Sequence, residues 1–360
     1  MHLTAANLAH FLMGRGLLSA DAIVASDVLV LDSSRRNRNF KAIQSRGPSL
    51  FVKQMREMQA DAMLTLRREA ACYQFARNDP ALSRLMPRLI RYDANWHVLI
   101  IELLPNAESL ADYHARHKAF PPEIGPMLGE GLGIYHARAD VLLKSKELKA
   151  LFARQVPVIL RLERGGHAVL GHFGRIGPAL SALIQQHQEF QTLLDALGAE
   201  WRFDSLIHGD MRWDNVLVFP AQGGLDFRVV DWEMADFGDA AWDVGAVLQS
   251  FLAVWIQSMP IASGLPPEAY ISMATQPLET MRPVLGTFWD AYARTRGFGE
   301  DQRKHELERC MRFGAARLVW AAVEQRLYAP QLDPAAAALL QVSLNVLKDP
   351  ARAVKDLLEL

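Results

Sequence analysis

A short polar segment between two apolar runs carries the residue types that phosphoryl transfer requires. In His208-Gly209-Asp210 the aspartate is followed five residues later by Asn215, and Asp231 ends a β-branched run further along the chain. Phosphoryl transfer needs a group that orients the attacking hydroxyl and oxygen ligands that hold Mg²⁺ against the nucleotide phosphates. Mg²⁺ prefers such oxygen ligands and keeps waters and phosphates for its other positions. One aspartate, one asparagine and a further aspartate supply these parts.

Either segment alone would be weak support for a phosphoryl-transfer site. An Asp-x-x-x-x-Asn spacing is common, and aspartate or asparagine in a loop usually makes local turn hydrogen bonds. The two segments occur together here, in this order and next to strand-like runs. That combination favours a catalytic and metal-binding site over ordinary turns.

A lysine and a glutamate in the first part of the chain could hold nucleotide phosphates. Period-two alternation in residues 50–55 puts Phe51, Lys53 and Met55 on one face of a strand. A lysine between two apolar residues requires a partner or a ligand. Glu69 lies sixteen residues after the lysine, at or beside the apolar face of a helix. An ion pair between them would direct Lys53 toward the phosphates; the alternative is that both side chains extend into solvent.

The elements around these residues change character along the chain. Residues 3–18 have the pattern of an amphipathic helix. Strands are predicted at 27–31, 40–43, 50–55, 88–93 and 96–103, with a helix at 59–77. From about residue 107 the pattern is mostly helical, with strand signals at 216–219 and 227–230. Strands first and helices second predict a segregated α+β fold. We place the boundary at Pro105-Asn106, between a nucleotide-binding lobe of residues 1–104 and a helical lobe of residues 105–360.

Composition excludes several other classes of protein. Half of the 360 residues are hydrophobic, which predicts a sizeable core, and the net charge of -1 argues against nucleic-acid binding. Two cysteines are too few for a disulfide framework. The start of the chain does not resemble a signal peptide, and the most apolar stretch, residues 240–256, contains Asp243 and Gln249. We therefore expect a cytoplasmic protein that is not bound to a membrane.

The motifs together resemble the aminoglycoside phosphotransferase family, which includes choline kinase-like enzymes and shares the protein-kinase fold. The resemblance is carried by His208-Gly209-Asp210 with Asn215, by Asp231-Trp232-Glu233 and by residues 238–243 (Gly-Asp-Ala-Ala-Trp-Asp). It covers roughly residues 25–300. It implies two lobes, a small one with an antiparallel sheet and a large helical one, and a reaction that uses ATP or GTP with Mg²⁺.

By this resemblance, Asp210 would be the catalytic carboxylate, and Asn215 and Asp231 would hold Mg²⁺. Lys53 would contact the nucleotide phosphates while it pairs with Glu69.

The resemblance also implies supporting contacts. His208 would brace the catalytic loop, and Asp243 would hydrogen-bond to that loop from the start of the next helix. Residues 100–104 match the segment between the lobes, where the C=O of Ile101 and the N–H of Leu103 would bind adenine.

One segment departs from the family pattern. The loop that covers the nucleotide is usually small and contains glycine, but residues 33–39 (Ser-Ser-Arg-Arg-Asn-Arg-Asn) contain none. Side chains such as Ser34 and Arg35 would then bind phosphate in place of the backbone. The alternative is a solvated basic turn.

The acceptor is predicted to be a hydroxyl of a small molecule. Basic residues exceed acidic ones in residues 151–200, where we find Arg154, Arg161, Arg164 and Arg175 against Glu163, Glu189 and Asp195. This balance disfavours a polycationic acceptor. A peptide serine or threonine is an alternative, although Gly238-Asp239 follows Asp231 too closely for a protein-kinase activation segment. A further alternative is an inactive nucleotide-binding module. The sequence leaves the acceptor's identity, the choice of ATP or GTP and the oligomeric state open.

Overall fold

A computed structural model of the protein describes residues 2–34, 37–56, 60–138, 150–261, 266–324 and 331–360. They form two compact units. As far as its residues are described, the first comprises Met1–Leu110, Ser145–Phe152 and Asp214–Ala235, and the second Ala111–Lys144, Ala153–Trp213 and Asp236–Leu360. The units are discontinuous in sequence, whereas the predicted lobes 1–104 and 105–360 are continuous, and the boundary after residue 104 stays a prediction.

The strands lie mainly in the first unit. In chain order they are β1 (Val28–Asp32), β2 (Arg38–Gln44), β3 (Leu50–Gln54), β4 (Leu89–Asp93), β5 (Val98–Glu102), β6 (Glu108–Ser109), β7 (Ser205–Ile207), β8 (Val216–Ala221), β9 (Gly224–Val229) and β10 (Asp236–Gly238). The first five form an antiparallel sheet in the order β1-β2-β3-β5-β4. Three more form the sheet β6-β8-β9, and β7 pairs with β10 in the second unit.

Helices form most of the second unit. In chain order, those of the whole described chain are α1 (Ala5–Met13), α2 (Ala20–Val24), α3 (Ala60–Arg77), α4 (Leu110–His117), α5 (Ile124–His136), α6 (His167–Gly171), α7 (Gly177–Gln186), α8 (Gln188–Ala199), α9 (Ala240–Gln257), α10 (Pro267–Ser272), α11 (Arg282–Thr295), α12 (Glu300–Glu324), α13 (Pro334–Lys348) and α14 (Pro350–Ala353). The predicted α+β architecture is confirmed: an antiparallel sheet in one unit and mostly helix in the other.

The start of the chain is part of the core of the five-stranded sheet. Thr4 and Asn7 form a capping box that begins α1. The apolar side of α1 and the residues around it pack on one face of the sheet. This core comprises Leu3, Leu8, Phe11, Leu12 and Leu18 with Phe40, Ala42, Leu50, Val52, Val98 and Ile100. Because side chains alternate along a strand, Lys53 points to the opposite face, away from this core.

The most apolar helix, α9, is buried in the second unit. Almost all of its side chains are buried, from Ala241 to Ile256, and the interior includes Asp243 and Gln249. Within the described ranges, no helix is both long enough and apolar enough to cross a membrane.

Candidate active site

Lys53 contacts three carboxylates in the first unit. Its Nζ is 2.8 Å from Glu69 Oε2 and 2.5 Å from Asp231 Oδ1. Glu233 Oε2 is the third partner, at 2.9 Å. Lys53 and Glu69 are buried, whereas 42% of the Asp231 side chain is exposed. The ion pair that the sequence predicted between Lys53 and Glu69 is present, and two carboxylates from the turn after β9 extend it.

The backbone after β9 brings these two carboxylates to the lysine. Asp231 has a left-handed conformation, with φ 66°, and begins the short 3-10 helix Trp232–Met234. Such a conformation is unfavourable for most residues other than glycine, so neighbouring contacts must hold it. Arg68 supplies one of them, because its guanidinium donates to the C=O of Glu233 at 3.2 Å. The indole N–H of Trp232 donates to the C=O of Val229 at 2.9 Å and closes the turn.

Burial and charge act in opposite directions on the cluster. Burial by itself would lower the pKa of Lys53, but the three carboxylates outweigh it and raise that pKa, so the side chain stays an ammonium. Burial raises the pKa of Glu69 to about 7, against the lowering effect of Lys53. Glu69 therefore changes its charge close to neutral pH.

We expect part of the stability of the protein to be lost as Glu69 gives up its proton. The pKa of Glu69 is about 7 in the fold and 4.5 ordinarily, so the folded state binds the proton more tightly. That stabilisation is complete below the ordinary pKa and disappears as the pH rises through 7. Urea unfolding of wild type and Glu69→Gln, from about pH 5 to pH 8, measures it. The free energy of unfolding should fall more steeply with pH in wild type, and parallel curves would contradict this.

The hairpin β8–β9 brings the two predicted metal ligands to one end of a sheet. Val216 pairs with Val229 in the antiparallel register, and the N–H of Val230 donates to the C=O of Asn215 at 2.9 Å. Asn215 and Asp231 therefore flank the same end of this hairpin. Asn215 is buried.

The residues of this region fit the Mg²⁺ that the family resemblance implies. Glu69, Asp231 and Glu233 each offer one oxygen, and these oxygens lie within 4.8 Å of one another. When all three are ionised, Lys53 neutralises only one of their charges, and a divalent cation would balance the other two. Carboxylate and amide oxygens are the protein ligands that Mg²⁺ prefers. Asn215 and Asp231 stay the predicted ligands.

Described side chains of the glycine-free segment between β1 and β2 make hydrogen bonds to the backbone. The N–H of Asn39 donates to Ser34 Oγ at 3.0 Å. Arg38 Nη1 donates to a main-chain carbonyl at the start of the chain, 3.3 Å away. Arg35 lies outside the described residues. Phosphate binding by Ser34 and Arg35 therefore stays a prediction.

The segment that was predicted to bind adenine is engaged in the sheet. Ile101 is buried and pairs with Phe51 across β3 and β5. The N–H of Leu103 donates to the C=O of Ser49 at 2.9 Å. Adenine would have to replace Ser49 as the acceptor for this N–H, and the contacts of Ile101 and Leu103 with the base stay predictions.

In the second unit, the Asp243 side chain holds the backbone of the loop that carries Asp210. Its carboxylate accepts the N–H of His208 at 2.6 Å and the N–H of Gly209 at 2.9 Å. His136 bonds the same carboxylate through Nε2 at 3.3 Å, and its Nδ1 bonds the Tyr292 hydroxyl at 3.0 Å. Burial by itself would raise the pKa of Asp243, but the hydrogen bond and charge of His136 outweigh it and lower that pKa. A buried anion thus fixes the two residues before Asp210.

Asp210 itself is held by groups on both sides of the loop. Its N–H donates to His208 Nδ1 at 3.2 Å, a bracing contact of the kind that the resemblance implied for this histidine. The guanidinium of Arg317, which is buried, lies 3.2 Å from Asp210 Oδ1 and donates to the C=O of Gly209 at 3.2 Å. The indole N–H of Trp242 donates to the same C=O at 3.0 Å.

Comparison with known proteins decides the family. A model of the phosphotransferase enzyme family, APH, matches residues 27–265, which is more than half of the chain. The chain belongs to this phosphotransferase family. Among the curated proteins, no relative matches this phosphotransferase.

Solved structures that resemble this phosphotransferase do so in fold. The complex of APH(2″)-IIia with GDP and kanamycin has a TM-score of 0.53 at 13% identity, over 97% of this chain and 99% of that one. The streptomycin–ATP ternary complex of APH(2″)-IIa has a TM-score of 0.53 at 14% identity, over 96% and 99%. A macrolide 2′-phosphotransferase from Brachybacterium faecium has 17% identity and a TM-score of 0.49, over 95% and 98%.

Two charged residues that contact predicted site residues of this phosphotransferase were given no role from the sequence. Glu233 was identified only as part of the Asp231-Trp232-Glu233 motif, but it binds Lys53 and accepts a hydrogen bond from Asn37 at 3.3 Å. Its spacing of two from Asp231 was a usable signal. Arg317 had no local signal, because its partner Asp210 lies 107 residues earlier in the chain.

Proposed function

We propose that this phosphotransferase moves the γ-phosphate of ATP or GTP to a hydroxyl group of a small molecule. The observation that carries the proposal is the buried Lys53, whose ammonium is held by Glu69 and Asp231 in a member of this family. An ammonium held in this way can bind nucleotide phosphates as a point charge.

The residues of the site have separate tasks in the proposed reaction. The acceptor oxygen forms a bond to the γ-phosphorus while the bond to the bridging oxygen breaks, which leaves the nucleoside diphosphate. Asp210 orients the acceptor hydroxyl and takes its proton, and Asp243 keeps the loop that carries Asp210 in place. Lys53 holds the phosphates. When bound, Mg²⁺ would be held by Asn215 and Asp231 and would neutralise phosphate charge.

The sheet offers an apolar surface for the nucleotide base on the face that carries Lys53. Register places Leu29 opposite Ile43, and it places Leu31 and Phe51 on either side of Lys41 of β2, the one charged residue among these five. All of these side chains share the Lys53 face because side chains alternate along each strand. Leu29 is 55% exposed and Leu31 42% exposed. A flat base could cover these leucines, which would otherwise remain in contact with water.

The named ligands of the structural relatives support a nucleotide as phosphate donor and a small molecule as acceptor. APH(2″)-IIa was solved with ATP and streptomycin, and APH(2″)-IIia with GDP and kanamycin. For this protein we propose ATP or GTP as phosphate donor and an acceptor that is not strongly polycationic, since arginines exceed acidic residues in 151–200. We propose that the protein is cytoplasmic. We propose that it binds neither nucleic acid nor a membrane.

A screen of acceptors tests the proposed function. The protein is incubated with Mg²⁺ and γ-labelled ATP or GTP in the presence of hydroxyl-bearing metabolites, antibiotics and peptides. We expect label on a small-molecule hydroxyl. Label on a peptide serine or threonine alone would favour the peptide-kinase alternative. Nucleotide binding without transfer or hydrolysis would favour an inactive binding module.

Arg317→Met is expected to lower kcat about tenfold while the KM for the nucleotide stays the same. A hydrogen bond to a charged group is worth about 1.5–3 kcal/mol, and each ~1.4 kcal/mol is tenfold in rate. The variant loses two contacts that hold the Asp210 loop. Arg312→Met on the same helix is the control, since Arg312 pairs with Glu200 at 2.8 Å. Equal kcat values for the two variants would contradict a positioning role.

A further inference from the structure

Helix α12 lies beyond the region that the family model matches, yet its position beside the catalytic loop is fixed. It packs on α9 so closely that a Cβ added at Gly245 would lie 2.6 Å from the nitrogen of Gly314. Arg309 Nη1 on α12 donates to the buried Asp239 at 2.8 Å, just before α9 begins. These contacts set the register between α12 and the helix that carries Asp243.

One face of α12 contacts the catalytic loop at two points. Arg317 lies 3.2 Å from Asp210, and Glu324 lies 3.0 Å from Arg212. Positions i, i+3 and i+7 of a helix lie on one side, so Trp320 is on the same face between these contacts. Its Cβ is therefore about 5–6 Å from that of Arg317. Trp320 is therefore about one helical turn from the residue that contacts Asp210.

An accessible apolar surface continues from this tryptophan. The ring of Phe173 meets the ring of Trp320 edge to face, with centroids 5.0 Å apart. Phe173 is 40% exposed. Val169, four residues earlier, is also exposed. The proposed reaction gives Trp320, Phe173 and Val169 no task.

Two ion pairs lie beside this surface. Arg317 and Arg212 supply two positive charges, and their partners Asp210 and Glu324 supply two negative ones, so these four side chains add no net charge. The two pairs therefore give no electrostatic advantage to an acceptor with several charges of one sign. The exposed ring of Phe173 offers burial of an aromatic or aliphatic group instead.

We propose that Trp320 and Phe173 form an acceptor-binding wall beside Asp210. The wall takes an uncharged acceptor that carries an aromatic or aliphatic group close to its reacting hydroxyl. This inference rests on the proposed function, since it requires Asp210 to be the residue that orients the hydroxyl.

Binding of benzyl alcohol, followed by saturation-transfer NMR in the presence of ATP and Mg²⁺, tests the wall. Wild type, Trp320→Ala and Phe173→Ala are compared with the control Phe203→Ala. Phe203 is 38% exposed, and its ring centroid lies 6.3 Å from that of Trp201. We expect binding to wild type and to the control. We expect binding to be about tenfold weaker or lost in the other two variants, because aromatic anchors dominate such contacts. Glycerol and kanamycin serve as polar and polycationic reference probes.

The remaining outcomes separate this inference from the proposed function. Equal binding of benzyl alcohol to all four proteins, or tighter binding of kanamycin than of benzyl alcohol, would overturn the wall. ATP affinity that matches wild type and a single cooperative thermal transition show that each variant is folded. If benzyl alcohol bound as expected but Asp210 variants still transferred phosphate, the role of Asp210 would be rejected. Trp320 and Phe173 would then form a binding surface for apolar molecules and not an acceptor wall.

Discussion

Asp231→Ala is expected to reduce Mg²⁺-dependent turnover by ~10²-fold or more, the usual effect of removing a group that stabilises transition-state charge. The variant removes one carboxylate that has two tasks: it lies 2.5 Å from the Lys53 ammonium, and it is a predicted metal ligand. Asn215→Ala should have a smaller effect, because the amide carries no full charge. Turnover of labelled nucleotide, measured over a series of Mg²⁺ concentrations, gives both the rate and the metal dependence.

A matched control for Asp231 lies on the preceding strand. Asp226 is exposed to a similar degree, 39% against 42%, and pairs with Arg228 at 2.8 Å rather than with Lys53. Asp226→Ala should leave turnover and its Mg²⁺ dependence near wild type. A Mg²⁺ dependence of Asp231→Ala that matches the control would refute the proposed ligand.

The pairing of Lys53 with Glu69 could be predicted because local patterns place both residues. Strand alternation fixes the face of Lys53, and helical spacing fixes the side of Glu69. The addition of Asp231 and Glu233 to this pair depends on the left-handed backbone of Asp231, which no local sequence pattern specifies. The hydrogen bond from the N–H of Leu103 to the C=O of Ser49 could not be predicted either, because it joins residues that lie far apart in the sequence.

Other parts of the fold could not be predicted, because their strands are too short or their pairing partners are too far away in the sequence. The strands β6, β7 and β10 have two or three residues each, fewer than an alternating pattern needs to be visible. Their pairing joins distant segments, as when Glu108 pairs with Val218. The predicted helix over residues 3–18 is shorter in the structure and ends at Met13, where the cap is Gly14. The apolar side of this helix packs on the five-stranded sheet. The amphipathic pattern predicts a buried side but does not say which element covers it.

The central claim is that Asp210 is the carboxylate that orients the acceptor hydroxyl. The most direct test compares transfer of the labelled γ-phosphate by wild type, Asp210→Ala and Asp204→Ala, the last an exposed aspartate of the same unit. A positioned base typically contributes 10²–10⁴-fold to the rate, so Asp210→Ala should lose about that much while its affinity for the nucleotide stays near wild type. The control should retain wild-type transfer. Equal transfer by all three proteins would contradict the account.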